Sequence, residues 1–265
     1  MGTCRSACGA CFQGLCSPEE KQSQPANPNL RLVFHGGQPF LTEDAFLGGM
    51  PGYVGLVDRE YLTFGPLTLH IETWPDYRIG ASHWPSGRLL ARALAEGALP
   101  EVLPAVAGLK VAELGAGPGL PGLVCAKLGA ASVVLTDLIE LLPLMDKNLL
   151  LNDLCSNCHS ETLDWLAAES SALAFANRQA EGPLDILLAA DVVYVEEQEP
   201  LMGALLALMA PGHTTLVLAY KNRNAGDREY LNSRILPRLV DVKFAEFSTP
   251  EDGLTEIYVG KFKPS

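Results

Sequence analysis

The sequence predicts an α/β fold built on a doubly wound, mainly parallel sheet. Between residues 109 and 236, short apolar runs alternate with longer segments in which apolar residues recur at helical spacing. This alternation is typical of parallel strands joined by helices that cover both faces of a sheet. The last two apolar runs, 240–247 and 254–262, follow one another directly, so an antiparallel pair should complete the sheet.

The chain divides into three regions. Residues 1–30 are rich in Ser, Pro, Gln and Asn without apolar periodicity, and they are predicted to form a disordered leader. Residues 31–82 form an extension in which the runs 60–64 and 67–71 should pair as a β-hairpin. Residues 83–265 form the main domain, which begins with a helix after Pro85, a residue suited to a first helical turn.

Strands and helices then alternate through the main domain. The predicted strands cover 109–114, 132–136, 161–163, 184–190 and 213–220, and the predicted helices cover 138–154, 196–209 and 225–236. The run 184–190 is almost entirely apolar, as expected of a strand that is buried on both faces.

A glycine-rich turn separates the first two strands of the main domain. Glu113 ends one strand and Asp137 ends the next, and between them stand Gly115, Gly117, Gly119 and Gly122. Glycine lets the backbone approach a ligand closely, and the helix that follows offers free N–H groups. A carboxylate at the end of the second strand can accept hydrogen bonds from both hydroxyls of a ribose. The segment therefore predicts a site for a nucleoside-containing cofactor.

Two cofactors fit this spacing. Residues 117–122 satisfy the G-x-G-x-x-G pattern, and Asp137 lies at the distance expected for a dinucleotide such as NAD. Glu113 opposes that interpretation, because a carboxylate beside a pyrophosphate costs Coulomb energy. S-adenosylmethionine carries a protonated amine and a sulfonium but no phosphate. Glu113, followed by Gly115 and Gly117, therefore favours the methyl donor.

Three further residues are candidates for the cofactor site. Asp164 and Trp165 follow the third strand, where they offer an acceptor for the adenine amine and an aromatic wall. Trp84 precedes the first helix and is placed to cover the cofactor. A buried core tryptophan is the alternative role of Trp84.

The fourth strand ends at Asp191, and Tyr194 follows three residues later. Ligands of such sheets bind outside the carboxyl ends of the strands, so both residues are candidates for the reacting centre. Methyl transfer needs an acceptor amine that is aligned with the S–CH3 bond and has a free lone pair. Asp191 can accept an N–H of that amine, and Tyr194 can line its channel or donate its hydroxyl. The alternative roles are a helix N-cap for Asp191 and an interface aromatic for Tyr194.

Composition and charge restrict the partners. The 265 residues are 48% hydrophobic and 19% charged, with a formal net charge of −12. An acidic surface argues against general nucleic-acid binding, which depends on Lys and Arg. It suits a protein partner that presents a lysine, although solubility alone also explains it. Because no apolar stretch is long enough to span a bilayer and a secretory signal is absent, we expect a cytoplasmic enzyme.

The leader contains four cysteines, Cys4, Cys8, Cys11 and Cys16. Its first six residues match M-G-x-x-x-S, so Gly2 is a candidate for myristoylation and Cys4 for palmitoylation, which together would anchor the chain to a membrane. Zinc or iron–sulfur binding by the thiolates is a second interpretation, at an atypical spacing. An unordered tail with incidental cysteines is the third.

Several of these segments together resemble one family. Trp84 before a helix, the segment 113–119, Asp137, the pair Asp164-Trp165 and the segment 191–194 are similar in order and spacing to the seven-β-strand, Rossmann-like protein-lysine methyltransferases marked by a D-x-x-Y motif, of the methyltransferase-like 21 type. The resemblance covers residues 55–263. It implies a seven-strand sheet with an antiparallel C-terminal strand, S-adenosylmethionine as cofactor and a lysine of a specific protein as acceptor.

The resemblance also implies roles for individual residues. Asp191 and Tyr194 would face the substrate, and Lys221 and Arg223 match a basic spot common in these enzymes. Family members act on chaperones, AAA ATPases, translation elongation factors and other proteins, usually one each, and we expect a monomer. The cofactor would contact Trp84, Glu113, Gly115, Gly117, Asp137, Leu138, Asp164, Trp165 and Ala190.

Other activities remain open on this scaffold. The acceptor can be a protein histidine or arginine, or a non-protein substrate, because the nucleophile belongs to the substrate. An enzyme that methylates the amino groups of nucleic-acid bases would carry an N/D-P-P-Y/F turn, and residues 191–194 contain no proline. An adapter that binds the cofactor without catalysis is disfavoured by Asp191. An NAD-dependent oxidoreductase is the alternative at the level of the cofactor.

Overall fold

The computed structural model describes residues 32–35, 38–41, 55–165, 182–194 and 199–263. Within these residues it contains a seven-stranded sheet and two separate two-stranded hairpins. The predicted leader, residues 1–30, lies outside the described residues.

The hairpins come first along the chain. Strand β1 (Leu32–His35) pairs with β2 (Gln38–Leu41), and β3 (Asp58–Phe64) pairs with β4 (Leu67–Thr73), both antiparallel. The second hairpin confirms the prediction for this region, and Gly65 takes a φ of 52° in its turn. The first hairpin was not predicted.

The strands and helices of the main domain alternate as predicted. They are α1 (Pro85–Glu96), β5 (Lys110–Leu114), α2 (Leu120–Lys127), β6 (Ser132–Asp137), α3 (Leu142–Leu151), β7 (Cys158–Thr162), β8 (Ile186–Ala190), α4 (Glu199–Leu208), β9 (Thr215–Tyr220), α5 (Ala225–Tyr230), β10 (Leu239–Thr249) and β11 (Gly253–Phe262). In the part of the chain that the structure describes, none of the helices is both long and apolar enough to cross a bilayer.

The strand order of the large sheet is β10-β11-β9-β8-β5-β6-β7. Strands β5 to β9 run parallel, and β11 lies antiparallel between β9 and β10. The chain runs outward from β5 to β7, returns to β8 beside β5, and then runs outward on the other side. The order therefore reverses between β5 and β8, which is where doubly wound sheets bind ligands. The predicted fold class is confirmed.

Two apolar layers hold the helices on the sheet. Successive residues of a strand point to opposite faces, so Val111 belongs to the apolar cluster that includes α1, α2 and α3, whereas Ala112 and Leu114 belong to the cluster that includes α4. Leu188 and Leu187 divide in the same way on β8. Because β5 and β8 are covered on both faces, their ends form a rigid support for the site between them.

The second hairpin is joined to the main domain by two asparagines, one in α3 and one at its C-cap. The side chain of Asn148 accepts a 2.7 Å hydrogen bond from the N–H of Glu72 and donates one of 3.0 Å to its carbonyl oxygen. Asn152 makes the same pair of bonds to His70. Because Asn148 and the C-cap residue Asn152 are four positions apart, they lie on the same side of α3 and continue the hydrogen bonding of β4. Asn148 also donates to the carbonyl oxygen of Pro118 in the glycine-rich turn.

Three predicted boundaries were wrong. Strand β7 covers 158–162 instead of 161–163. It lies at the sheet edge and is largely polar, so its sequence does not show the apolar pattern by which the other strands were predicted. The predicted helix 138–154 begins with a 3-10 turn, Ile139–Leu141, and α3 has Pro143 in its first turn. The predicted helix 225–236 continues beyond α5 as a π turn, Leu231–Ile235, for which we have no physical account.

Candidate active site

A cavity of about 740 Å³ lies at the carboxyl ends of β5, β6 and β8. This is the point at which the strand order reverses. All eleven predicted site residues line the cavity: Trp84, Glu113, Gly115, Gly117, Asp137, Leu138, Asp164, Trp165, Ala190, Asp191 and Tyr194. Segments that are far apart in the sequence therefore meet at one site.

One wall of the cavity was missed. No site was predicted in residues 78–83, at the junction of the predicted extension and main domain, and the side chains or backbone of Arg78, Ile79, Gly80, Ser82 and His83 line the cavity. A 3-10 turn, Ile79–Ala81, shapes this wall. Gly80 lies in close contact at this wall, because a Cβ at that position would lie 2.8 Å from Cδ1 of Leu141.

The glycine-rich turn packs directly against this wall. Gly117 has a φ of 55°, and a Cβ on it would lie 2.5 Å from the carbonyl oxygen of Gly80. Gly115 has a φ of 65°, and its Cβ would lie 2.9 Å from Cζ2 of Trp165. Backbone conformation and space therefore both require glycine at these positions.

Glu113 is buried at the end of β5, with 2% of its surface exposed. Its Oε2 accepts a 2.8 Å hydrogen bond from the N–H of Gly122, in the first turn of α2. Burial raises the pKa of Glu113 to about 8; the N–H of Gly122 opposes that rise, and the carboxyl of Asp137 adds to it. Near neutral pH, Glu113 is therefore largely protonated until a cation comes close to it.

This raised pKa predicts the pH dependence of stability in the protein without ligand. The ordinary pKa of Glu113 is 4.5, so between that pH and about 8 the folded state holds a proton that the unfolded state has released. The contribution of Glu113 to the free energy of unfolding is therefore greatest below pH 4.5 and decreases as the pH rises to about 8. Glu113→Gln should remove this decrease.

Thermal unfolding measures this effect. At pH 8 the melting temperature of Glu113→Gln should exceed that of the wild type by about 3 °C or more, and at pH 5 the difference should be smaller. Glu246→Gln changes an exposed glutamate of β10 and is the control, with little effect expected at either pH. A Glu113→Gln protein that is less stable than the wild type at pH 8 would contradict the prediction.

Asp137 ends β6 and holds the glycine-rich turn from the other side. Its Oδ2 accepts a 2.8 Å hydrogen bond from the N–H of Gly117, and its Oδ1 accepts one of 2.7 Å from the N–H of Leu138. Burial raises the pKa of Asp137 to about 6, although both N–H groups lower it. Each carboxylate oxygen has a second lone pair, so Asp137 can still accept two hydroxyl donors from the cavity.

Two tryptophans form aromatic walls. Trp165 lies over Gly115, next to Asp164 in the chain. Trp84 is 39% exposed, so the alternative of a core tryptophan is wrong. The indole N–H of Trp84 donates a 2.8 Å hydrogen bond to the carbonyl oxygen of Ile79, which fixes the ring against the wall formed by 78–83.

Asp191 follows β8 in an unusual backbone conformation, with a φ of 58°. Its side chain is 5% exposed, and Oδ1 lies 3.0 Å from Nη1 of Arg223. Oδ2 accepts a 3.3 Å hydrogen bond from the N–H of Ser86, in the first turn of α1. The Arg223 contact is therefore an ion pair, although its angles do not meet the criteria for a hydrogen bond. Asp191 thus binds an N–H in the first turn of a helix, as the alternative N-cap role predicts, but the helix is α1, which is distant in the sequence.

Arg223 connects Asp191 to the aromatic residues of the cavity. Its guanidinium carbon lies 5.3 Å from the centre of the Trp84 ring. Tyr194 is 39% exposed at the cavity mouth. Burial raises the pKa of Tyr194, Asp137 adds to the rise and Arg223 opposes it, so the phenol keeps its proton at neutral pH.

The charges of the cavity distinguish the two candidate cofactors. Each basic side chain that lines the described part of the cavity is paired with an acid. Nη2 of Arg78 lies 2.8 Å from Oε1 of Glu140, and Nε2 of His83 lies 2.5 Å from Oε1 of Glu60. Arg223 pairs with Asp191. A pyrophosphate would therefore meet no unpaired cation there, whereas Glu113 and Asp137 suit an ammonium group and a ribose. The residues present fit S-adenosylmethionine better than NAD. The described residues contain no cluster of His, Cys, Asp or Glu able to hold a metal ion.

Comparison with known proteins finds similar sequences. The model of a family described as lysine methyltransferase matches residues 65–235. Protein-lysine N-methyltransferase EFM6 of Saccharomyces cerevisiae is 31% identical over 194 residues, which are 67% of this chain and 77% of that protein. EEF1A lysine methyltransferase 3 of Mus musculus is 32% identical over 153 residues, which are 57% of this chain and 61% of that protein. The chain thus matches less than two thirds of the mouse protein's length.

Solved structures show the same fold. The 16S rRNA methyltransferase RsmC of T. thermophilus, in complex with AdoMet and guanosine, superposes with a TM-score of 0.51 at 19% identity. The superposition covers 80% of this chain and 52% of that one. At this identity the similarity concerns the fold alone.

Proposed function

The chain belongs to the lysine methyltransferase family, and on this premise we propose that Asp191 and Tyr194 hold the amine of a target lysine beside a methyl donor bound over the glycine-rich turn. The protein transfers a methyl group from S-adenosylmethionine to a lysine side chain of a protein. The acceptor position, the roles of the individual residues and the target are the parts that we propose.

One observation carries the proposed acceptor position. Asp191 lines the cavity directly after β8, and its carboxylate is held by Nη1 of Arg223 at 3.0 Å and by the N–H of Ser86 at 3.3 Å. A carboxylate has about four lone-pair sites, so these two contacts leave it able to accept a further hydrogen bond. An amine N–H is a suitable donor, and it would be held close to Tyr194 and Trp84, which also line the cavity.

The cofactor end of the cavity lies against β5 and β6. We propose that Glu113 faces the ammonium group of the methyl donor, that Asp137 accepts the ribose hydroxyls, and that Asp164 and Trp165 form the adenine pocket. Gly115, Gly117, Leu138 and Ala190 would shape the contact surface, and Trp84 would cover it. When bound, the cofactor supplies an electrophilic methyl group.

The protein's own contribution to the reaction is positioning. Asp191 would accept an amine N–H and so direct the nitrogen lone pair towards the methyl group, which is the alignment that this displacement requires. The phenol of Tyr194 would line the channel next to the amine. Trp84 and Trp165 would exclude water from the reacting atoms, which strengthens the electrostatic contacts in the site.

We propose EEF1A as the first target to test, because a relative that is 32% identical is named for it. Purified EEF1A would be incubated with the enzyme and S-adenosylmethionine, and its peptides would be analysed by mass spectrometry. A gain of 14 Da, the mass of one CH2 unit, on a lysine would support the target, whereas unmodified EEF1A beside a labelled lysate protein would identify a different one.

The environment of the enzyme is a further proposal. We propose a monomer that acts in the cytoplasm through a catalytic domain at 83–265, with 31–82 as an extension. The state of Gly2 and Cys4 decides whether the leader also anchors the chain. Mass spectrometry of the native N-terminus distinguishes a myristoylated Gly2 from an unmodified leader.

A further inference from the structure

Arg223 lies at the acceptor end of the cavity, and the proposed acceptor site does not by itself explain why a cation is placed there. It lies in the segment between β9 and α5, and its side chain is 32% exposed. One face of its guanidinium lies over Trp84, and Nη1 is 3.0 Å from Oδ1 of Asp191. The cation is therefore fixed beside the carboxylate that would hold the target amine.

A lysine methyltransferase must bind its acceptor lysine as a neutral amine. A lysine amine has a pKa near 10.4 in water and is almost fully protonated at neutral pH, yet the lone pair must be free for the reaction. An unpaired carboxylate next to the amine would favour the ammonium form further. The same carboxylate that orients the amine would then suppress its reactivity.

We infer that Arg223 neutralises Asp191, so that the target lysine can be held through an N–H bond while it is present as a neutral amine. This inference rests on the proposed acceptor site. The geometry fits it, because Asp191 and Arg223 both line the cavity and form an ion pair of 3.0 Å there. The carboxylate keeps lone pairs for the amine, while the guanidinium offsets its charge and disfavours a second cation nearby.

The charge and atom balance of the step is simple. The lysine ammonium first gives one proton to water. The amine lone pair then forms the N–C bond to the methyl group as the S–C bond breaks, and the electrons of that bond remain on sulfur. The positive charge moves from sulfur to the methylated nitrogen, so Asp191 and Arg223 keep their charges throughout.

Other ionisable groups also face the cavity and contribute to any pH profile. They are Arg78, His83, Glu113, Asp137, Asp164 and Tyr194. All of them are unchanged by a substitution at Arg223, so a comparison of the variant with the wild type isolates the effect of the guanidinium.

The test is the pH dependence of methylation by Arg223→Gln. The acceptor is the protein that the wild-type enzyme labels in a cell lysate, purified after identification. At pH 7.5 the kcat of the variant should be about tenfold or more below that of the wild type, because a pKa rise of one unit in the bound amine reduces its neutral fraction about tenfold. The rise of kcat with pH should level off about one pH unit higher in the variant, and the two rates should converge only above that pH.

Binding separates this role from a structural one. With Asp191 unpaired, the variant should bind the protonated lysine at least as tightly as the wild type, so KM at pH 7.5 should not rise while kcat falls. Affinity for S-adenosylhomocysteine, measured by calorimetry, should be unchanged. Arg238→Gln, at the opposite end of the sheet, is the control and should match the wild type.

Two outcomes would overturn the inference. A kcat that levels off at the same pH in the variant as in the wild type, at full or reduced rate, would show that Arg223 does not control the protonation of the acceptor. A raised KM with an unchanged pH profile would show that it merely supports the site. If the wild-type enzyme methylated no lysine at all, the proposed function would fail instead.

Discussion

Asp191→Asn is expected to lower kcat/KM for methyl transfer by about 100- to 1000-fold, the range found when a group that positions or stabilises the reacting atoms is removed. Asparagine keeps the size of the side chain and tolerates the left-handed backbone conformation at this position, where φ is 58°. It removes the charge that pairs with Arg223 and alters the acceptor that faces the amine. Cofactor affinity should stay within about threefold, because the cofactor end lies on β5 and β6.

Asp185→Asn provides a matched control at the other end of β8. Asp185 stands just before β8, at its amino end, where it accepts a hydrogen bond from the N–H of Lys110 and lies 3.2 Å from His213. Its substitution should leave methyl transfer within about threefold of the wild type, because it is remote from the cavity. Near-normal turnover by Asp191→Asn would show that the carboxylate is not required.

Gly117→Ala should abolish cofactor binding, with an affinity at least about 100-fold weaker than that of the wild type. The new Cβ would lie 2.5 Å from the carbonyl oxygen of Gly80, and this contact involves backbone, which cannot rotate away as a flexible side chain can. The residue also has a φ of 55°, which is strained for alanine. Either the glycine-rich turn or the wall formed by 78–83 must move, and both line the cavity.

Gly129→Ala separates backbone strain from loss of the site. Gly129 has a φ of 88°, but a Cβ there would have no neighbour within 4 Å. Its substitution should therefore cost about 1 kcal/mol of stability through strain alone and leave calorimetric binding of S-adenosylmethionine unchanged. Equal affinities for wild type and Gly117→Ala would contradict the account of the turn.

Local patterns account for the correct predictions. The first strand, the glycine-rich turn, the helix and the second strand occupy 29 consecutive residues, 109–137. The acids that end the two strands can therefore be found by counting along the chain. Asp191 was found because its strand is apolar and a charge at the exit is conspicuous. Since parallel strands end at one edge of a sheet, residues placed at strand ends meet in space even when the chain separates them.

Long-range contacts account for what was missed. The wall formed by 78–83 has no motif, and its position follows from packing against Gly117 in the folded chain. The contact of Arg223 with Asp191 joins two loops, and the spacing of neither residue predicts it. Strand β7 has a polar sequence without a local strand pattern, and it is defined by its pairing with β6.

The central claim is that the acceptor held at Asp191 is a protein lysine, and one measurement tests it most directly. Wild-type enzyme is incubated with methyl-labelled S-adenosylmethionine and a lysate from cells that lack it, and the labelled protein is hydrolysed to amino acids. The label should elute as methyllysine and should be lost in the parallel reaction with Asp191→Asn. Label in methylhistidine, in methylarginine or in nucleic acid would contradict the claim.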